Sequence, residues 1–287
     1  MSDRDKLEVG SKFWNKGKWD NFVLPFLKEQ GVLVDMGCNS GLFLKLAEDM
    51  GYTAIGVDSD NEAVKRGIAW RDKNGGKYKI IHKRLEDCID ELPVADYTIF
   101  VNSHYYTKVE DWMDYLDKLQ YKTRYCIIVT TEKRARNRCW TKSDLGDVRG
   151  YFKTWEEVGF IDELPLEGNY PRKLWGLCFK SPHIERVPVK ELDCGNHVQD
   201  GFYKEIDKGT DYRKTRYYKI LKPYRKRWSE KQLNSWVEDR IKVYKDLKEN
   251  GLKKPLLVDS QNLILDGNHR YSMTVSLGHD SVFIRRV

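Results

Sequence analysis

The sequence predicts an α/β protein, a mostly parallel sheet with helices on it, followed by a smaller α+β module. Three observations predict it. Over the first 180 residues, short apolar or β-branched runs alternate with longer amphipathic stretches, as in successive βαβ units. The first of those runs passes into Asp35-Met36-Gly37-Cys38-Asn39-Ser40-Gly41, an acid and two glycines where a strand hands over to a helix. Near Ser181-Pro182 the alternation stops and the charge balance changes, which sets the expected boundary between domains of residues 1–181 and 182–287.

In chain order, residues 32–34 form a first strand of the buried type and residues 41–50 a helix. A strand at 54–57 and a helix at 61–70 repeat the unit, and 78–82 gives a third strand. Strands at 97–101 and 125–130 flank a helix at 109–119. Residues 155–159 read as a short helix ending in glycine, and 160–164 with 174–179 as a closing pair of strands. The second module opens with a strand at 184–189 and an irregular stretch to about residue 209. A helix at 230–250, strands at 255–259 and 263–265, a helix near 270–277 and a strand at 281–284 complete it.

The chain has 287 residues and 33.9 kDa, enough for two ordinary domains. With 40% hydrophobic and 33% charged residues it carries real cores and lacks the polar bias of a disordered chain. No apolar run approaches the roughly 20 residues of a membrane span, and no apolar segment follows the charged start, so neither a transmembrane nor a secreted protein is expected. Six cysteines with no Cys-x-x-Cys pair argue against a disulfide scaffold and a zinc ribbon; no metal site is expected, and the compartment is read as a reducing cytoplasm. Lysine and arginine balance acids over residues 1–180, 29 against 29, whereas 181–287 hold 22 against 15. All of the net +7 lies in the last third.

The turn at 35–41 is Asp-x-Gly-x-x-x-Gly, not the Gly-x-Gly-x-x-Gly of a dinucleotide site. An acid there repels a pyrophosphate and favours a cationic, phosphate-free ligand. The second strand ends in Gly56-Val57-Asp58, placing a carboxylate to accept hydrogen bonds from two ribose hydroxyls. Together these residues resemble the class I S-adenosylmethionine-dependent methyltransferases, which have a Rossmann-like sheet, over about 150 residues. The resemblance implies that Asp35 orients the methionine ammonium, that Gly37, Cys38 and Gly41 pass their backbone under the cofactor, and that Asp58 holds the ribose. It further implies that Leu85 and Glu86 lie beside the adenine. The plainer alternative makes the glycines strand and helix ends and Asp58 a solvated turn residue.

A sulfonium methyl is already electrophilic, so the protein must hold an acceptor in line and, for some acceptors, remove a proton. The acceptor site is expected after the fourth strand, where His104 is a candidate general base and Tyr105 a candidate wall; a packed histidine is the equal alternative. After the fifth strand, Lys133, Arg134, Arg136 and Arg138 suggest an anionic acceptor, or only a solvated face.

Near the end of the chain, Asp266-Gly267-Asn268-His269-Arg270 joins a strand to a helix and gathers backbone N–H groups, an imidazole and a guanidinium. With the strands at 187–192 and 255–259 it resembles the ParB/sulfiredoxin-like fold over about 100 residues. Asn268 stands where sulfiredoxins carry their catalytic cysteine, which removes that activity, and the motif is nearest to the Asp-Gly-His-His-Arg of free-serine kinases. The resemblance implies ATP, ADP or CTP with Mg²⁺, its phosphate held by His269 and Arg270 and Asp266 near the metal or acceptor. A kinase also needs a further acid, for which Asp200 and His197 are candidates. The alternative is a turn in which Arg270 pairs with a neighbouring carboxylate.

Residues 212–229 carry Arg213, Lys214, Arg216, Lys219, Arg225 and Arg227 among tyrosines and tryptophan, with no acid. Such interleaving suits nucleic acid or another polyanion; equally, it describes a basic helix whose aromatics cover a core. The leading expectation is methyl transfer to an unidentified, anionic acceptor, with a C-terminal domain that binds nucleotide or nucleic acid. The alternatives are a bifunctional methyltransferase and kinase on a small or glycan-linked acceptor, and a nucleotide-gated clamp on nucleic acid with little turnover.

Overall fold

A computed structural model describes residues 16–107, 109–131, 145–163, 174–194, 199, 201–225 and 227–287. Its contacts divide into two units, residues 1–91 with 95–182, and residues 92–94 with 183–287.

The first unit is built on seven strands, β1 (Val32–Met36), β2 (Thr53–Asp58), β3 (Lys79–His82), β4 (Ala95–Val101), β5 (Thr123–Thr131), β6 (Glu156–Glu163) and β7 (Leu174–Lys180). Their order is β3-β2-β1-β4-β5-β7-β6. The first five are parallel, and β7 runs antiparallel to both β5 and β6. The chain walks outward from β1 to β3, then returns to the other side of β1 with β4. This is a topological switch point, and the carboxyl ends of β1 and β4 bound the crevice where open α/β sheets take their ligands.

The central strands are apolar on both faces because both faces are covered. Tyr97, Ile99, Ile127 and Val129 pack with Trp19, Phe22, Leu33, Leu44 and Ala47 in one buried cluster that includes helix α1 (Leu42–Asp49). On the opposite face Phe100 meets Trp112 and Tyr115 of α3 (Val109–Leu119) edge to face at 5.0 and 6.0 Å. Helix α2 (Asn61–Lys73) lies between β2 and β3 in sequence and starts where the Asp60 carboxylate accepts the Glu62 and Ala63 N–H groups.

Residues 156–159, expected as the end of a helix, belong to β6; the helix, α4 (Leu145–Tyr151), ends earlier. The glycine that suggested a helix end marks instead a register shift in the strand, and a Cβ on Gly159 would stand 2.6 Å from the Phe26 ring.

The second unit has a four-stranded sheet, β8 (Glu185–Pro188), β9 (Leu256–Val258), β10 (Ile264–Asp266) and β11 (Ser281–Arg286), in the order β10-β9-β11-β8. β11 is parallel to β9 and antiparallel to β8. Among the described residues four α-helices accompany it, α5 (Phe202–Asp207), α6 (Arg216–Tyr224), α7 (Glu230–Asn250) and α8 (Asn268–Ser276). α7 begins at a capping box in which Ser229 and Gln232 satisfy each other's backbone N–H. α5 falls in the stretch expected to be irregular; its Phe202 and Tyr203 are buried with Tyr217, Leu233, Val237 and Tyr244. That packing, not helix propensity, holds so short a helix.

Candidate functional site

β1 ends in Asp35 and Met36, and the chain then turns through Gly37 and Gly41, both at φ 84°, with Asn39 between them at φ 51°. The Gly37 and Cys38 N–H groups donate to Val57 O at 2.8 and 3.1 Å, which fastens the loop to the end of β2. A Cβ on Gly37 would lie 2.4 Å from the Cβ of Ser103, so only glycine lets the loop pass this close to the end of β4. Ser103 completes the junction by donating its hydroxyl to Met36 O.

Asp58 stands beside that loop. One carboxylate oxygen accepts the Asn39 N–H at 2.7 Å and the other the Asp60 N–H at 2.8 Å. A carboxylate has about four acceptor directions, so two remain for the hydroxyls of a ribose. Asp35 is 2% exposed, and among the described residues no cation and no hydrogen-bond donor meets its carboxyl group. Burial, and to a lesser degree the Asp58 charge, pushes its pKa up to about 8. A buried acid lined up with an open glycine loop calls for a cation, and an alkylammonium meets that demand.

Cys38 contributes backbone only. Its side chain is buried against Gly56, where a Cβ would stand 2.5 Å from the sulfur, and burial holds the thiol well above its ordinary pKa. Leu85 and Glu86 follow β3, whose last residue His82 is in register with Asp58. Both are half-buried, and Glu86 lies 3.9 Å from Arg84.

The end of β4 departs from expectation. His104 is fully buried among aromatic rings, 5.1 Å from Tyr105 and 5.8 Å from Trp112, and burial pushes its pKa down to about 3. An imidazole so shielded and so weakly basic does not serve as the exposed general base, and Tyr105, also fully buried, is a packing residue. Tyr106 is the exposed ring of this turn, at 55%. The residue that sequence reasoning missed is Asn102, at φ 57°. Its N–H donates to Val129 O, while both atoms of its side-chain amide are buried without a hydrogen-bond partner among the described residues. An asparagine directly after a strand is the available signal, since it tolerates the left-handed conformation. The basic residues 133, 134, 136 and 138 lie outside the described residues.

In the second unit, Asp266 ends β10 and Gly267, at φ 105°, opens α8. Arg270 is not turned toward a ligand. Its guanidinium donates to Lys254 O at 2.9 Å, Pro255 O at 2.7 Å and Asp266 at 2.6 Å, stapling the helix to the strand connection. The expectation that Arg270 holds a phosphate with Asp266 left for a metal is therefore corrected, because each is the other's partner. Asn268 is exposed at the helix start. His269 lies 3.4 Å from the Tyr203 hydroxyl and 5.3 Å from the Trp236 ring. Residues 197 and 200 lie outside the described residues.

Along the basic stretch, Lys214, Arg216, Lys219 and Arg227 are exposed, and Arg213 is 3.8 Å from Asp211. Tyr217 and Tyr218 are 6% and 4% exposed and belong to the helical core, so they offer no stacking surface to bases. Among the described residues no group of three or more His, Cys, Asp or Glu is arranged to hold a metal ion, and no helix is long and apolar enough to cross a membrane.

Residues 14–188, more than half of the chain, match the family model of a methyltransferase domain. No curated protein matches the chain. The structure of the PH0226 protein from Pyrococcus horikoshii OT3 is similar with a TM-score of 0.51 at 14% identity, over 61% of this chain and 93% of that one. A SAM-dependent methyltransferase from Archaeoglobus fulgidus gives 0.47 at 14% identity, over 60% and 95%. The bifunctional kinase-methyltransferase WbdD gives 0.43 at 18%, over 67% and 42%. The chain belongs to the methyltransferase-domain family and is an S-adenosylmethionine-dependent methyltransferase.

Proposed function

We propose that the chain methylates an acceptor presented at the carboxyl ends of β1 and β4, with S-adenosylmethionine along the loop 37–41, and that its second unit is a ParB/sulfiredoxin-like module for a phosphate-bearing ligand. The observation that carries the first half is the buried Asp35 carboxyl, which has no cation of its own among the described residues, beside a loop only glycine can form. In this reading Asp35 ionises to meet the methionine ammonium, Asp58 accepts from both ribose hydroxyls, and Leu85 and Glu86 flank the adenine with an apolar wall and an acceptor. The bound cofactor supplies a methyl group on a sulfonium that needs no further activation.

The acceptor is then a matter of positioning. Asn102 offers an acceptor and two donors at the carboxyl end of β4 and orients it. With His104 buried and weakly basic, no described imidazole at the end of β4 stands ready to take a proton, which favours an acceptor already nucleophilic near neutral pH. Five described cysteines, all buried and none in a disulfide, support a reducing, cytoplasmic setting for this reading.

For the second unit, the support is a mixed four-stranded sheet with a strand, a left-handed glycine and a helix bearing His269. The kinase alternative is not proposed, because Asp266 and Arg270 satisfy each other.

Calorimetric titration of the purified chain with S-adenosylmethionine and S-adenosylhomocysteine tests the first half. Both should bind, and Asp58→Ala should weaken binding of both ~100-fold while the fold is kept. No heat from either ligand with the wild type would end the reading.

A further inference from the structure

We propose that Arg225, Arg240 and His269, gathered about the indole of Trp236, form a binding site for a phosphate monoester. The Arg225 guanidinium lies 5.6 Å from the Trp236 ring centre and 4.4 Å from that of Trp228; the Arg240 guanidinium lies 5.0 Å from Trp236. His269 meets the same indole edge to face at 5.3 Å, and the two indoles are 6.0 Å apart. Three groups that hydrogen-bond to anions therefore share one aromatic neighbour, although they come from the end of α6, the middle of α7 and the start of α8.

None of the three has a counterion. Among the described residues neither arginine makes an ion pair, and Nε of Arg240 is buried without any hydrogen-bond partner. The acids next to Arg240 on α7 are taken, Glu238 by the Tyr212 hydroxyl at 2.8 Å and Asp239 by Lys242 at 3.1 Å. A buried, unmet guanidinium N–H is costly unless something accepts from it. Both arginines also act on one spot, since after burial they are the two causes that depress the His269 pKa, which falls to about 4. The imidazole is therefore neutral near pH 7. With the Tyr203 hydroxyl at Nδ1, its other nitrogen is left to donate.

The class of anion follows from the donors. One planar carboxylate saturates one guanidinium fork, whereas two guanidiniums and an imidazole N–H call for acceptors pointing in several directions and for about two negative charges. A terminal phosphate has both. A nucleic-acid strand fits less well, because a phosphodiester carries one charge and the neighbouring Tyr217 and Tyr218 are buried instead of offering their faces to bases. The tryptophans are covered by the arginines and act as the floor that aims them.

The site rests on the reading of the second unit as a module for a phosphate-bearing ligand, and it uses no residue assigned to methyl transfer, so it and the methyl-transfer reading fail separately. Titration calorimetry of the full chain should be run with inorganic phosphate, with phenyl phosphate, and with a short single-stranded oligonucleotide with and without a 5′-phosphate. Both phosphates and the 5′-phosphorylated strand should bind. Arg225→Gln, at an exposed position that leaves the fold intact, should weaken them at least ~10-fold, as the loss of one charge-assisted hydrogen bond does. Arg240→Gln should do the same and Arg225→Lys should recover part of the affinity, while S-adenosylmethionine binding stays unchanged in each. Undiminished phosphate affinity in Arg225→Gln, or no binding of either phosphate to the wild type, would overturn the proposal. Equal binding of the strand without its terminal phosphate would overturn it as well, by showing a site for the backbone.

Discussion

The molecule builds the same turn twice and finishes it differently. In both units an aspartate stands at or next to the last residue of a strand, a glycine with positive φ follows, and a helix begins after the turn. In the second unit the helix carries its own answer to the acid, for Arg270, one turn on, closes on Asp266 at 2.6 Å. In the first unit no described residue answers Asp35, which is buried and holds its proton up to about pH 8. An aspartate before a glycine turn is thus no evidence of a ligand until its charge has been accounted for. The one left without a counterion among the described residues is the one we propose for the cofactor, and the one already paired ties helix to strand.

The contrast is broken most severely by Gly37→Ala. The added methyl group meets Ser103 at 2.4 Å on a backbone at φ 84°, and a cost of roughly 2–4 kcal/mol is expected, with loss of measurable cofactor binding. A melting curve alongside a cofactor titration checks it; a normal melting temperature with intact binding would mean the loop passes elsewhere. Asp58→Ala comes next. Two hydrogen bonds to a charged acceptor correspond to about 3 kcal/mol, a ~100-fold weaker S-adenosylmethionine affinity by calorimetry. Arg270→Ala should leave that affinity alone and instead lower stability by about 2 kcal/mol, because Lys254 O, Pro255 O and Asp266 lose their shared donor. Urea unfolding measures this, and a loss of cofactor affinity without loss of stability would reverse the assignment of the two turns.

Asp35→Asn sharpens the comparison through pH. The folded protein keeps the Asp35 proton to about pH 8, whereas an unfolded chain releases it near the ordinary 3.8, so the folded state binds the extra proton across that window. Wild-type stability therefore falls as pH rises from about 4 to 8, and the amide should remove that fall. The two melting temperatures should converge below about pH 4, with the variant the more stable at pH 8 and binding the cofactor ~10-fold more weakly. Parallel profiles would show that Asp35 ionises freely. Smallest of all is Arg213→Ala, an exposed arginine 3.8 Å from Asp211, whose effect on stability should stay within ~0.5 kcal/mol.

What could be read in the sequence was local. The apolar runs of β1, β2, β4 and β5, the glycines of the first loop, Asp58 and the bounds of α7 follow from period and neighbouring residues, and the structure has each of them. What could not be read depends on partners distant in the chain. Residues 156–159 are a strand because β7 and Phe26 pack there, and α5 is a helix because α7 covers it. His104 resembles a base in a string of polar and aromatic letters, and only the arrival of Trp112 shows it to be walled in. The tyrosines beside the basic residues give no hint of which way they face until the core of α6 and α7 is formed. Asn102 is signalled in the sequence only as an asparagine after a strand, and its left-handed backbone and unpartnered amide belong to the folded turn.

The strand order of the second unit bears on how this chain leaves the ribosome. β11 lies between β9 and β8 and is the only strand bonded to both, yet it is the last of the four to be synthesised. Until residues 281–286 emerge, β8 and β9 each have an unpaired edge, and the sheet is assembled around a centre that arrives last. The first unit has a different history, since β1, an interior strand paired on both sides by β2 and β4, is made first. A stalled or prematurely ended chain would thus present a formed methyltransferase sheet followed by two orphan edges, a nascent species suited to chaperone capture.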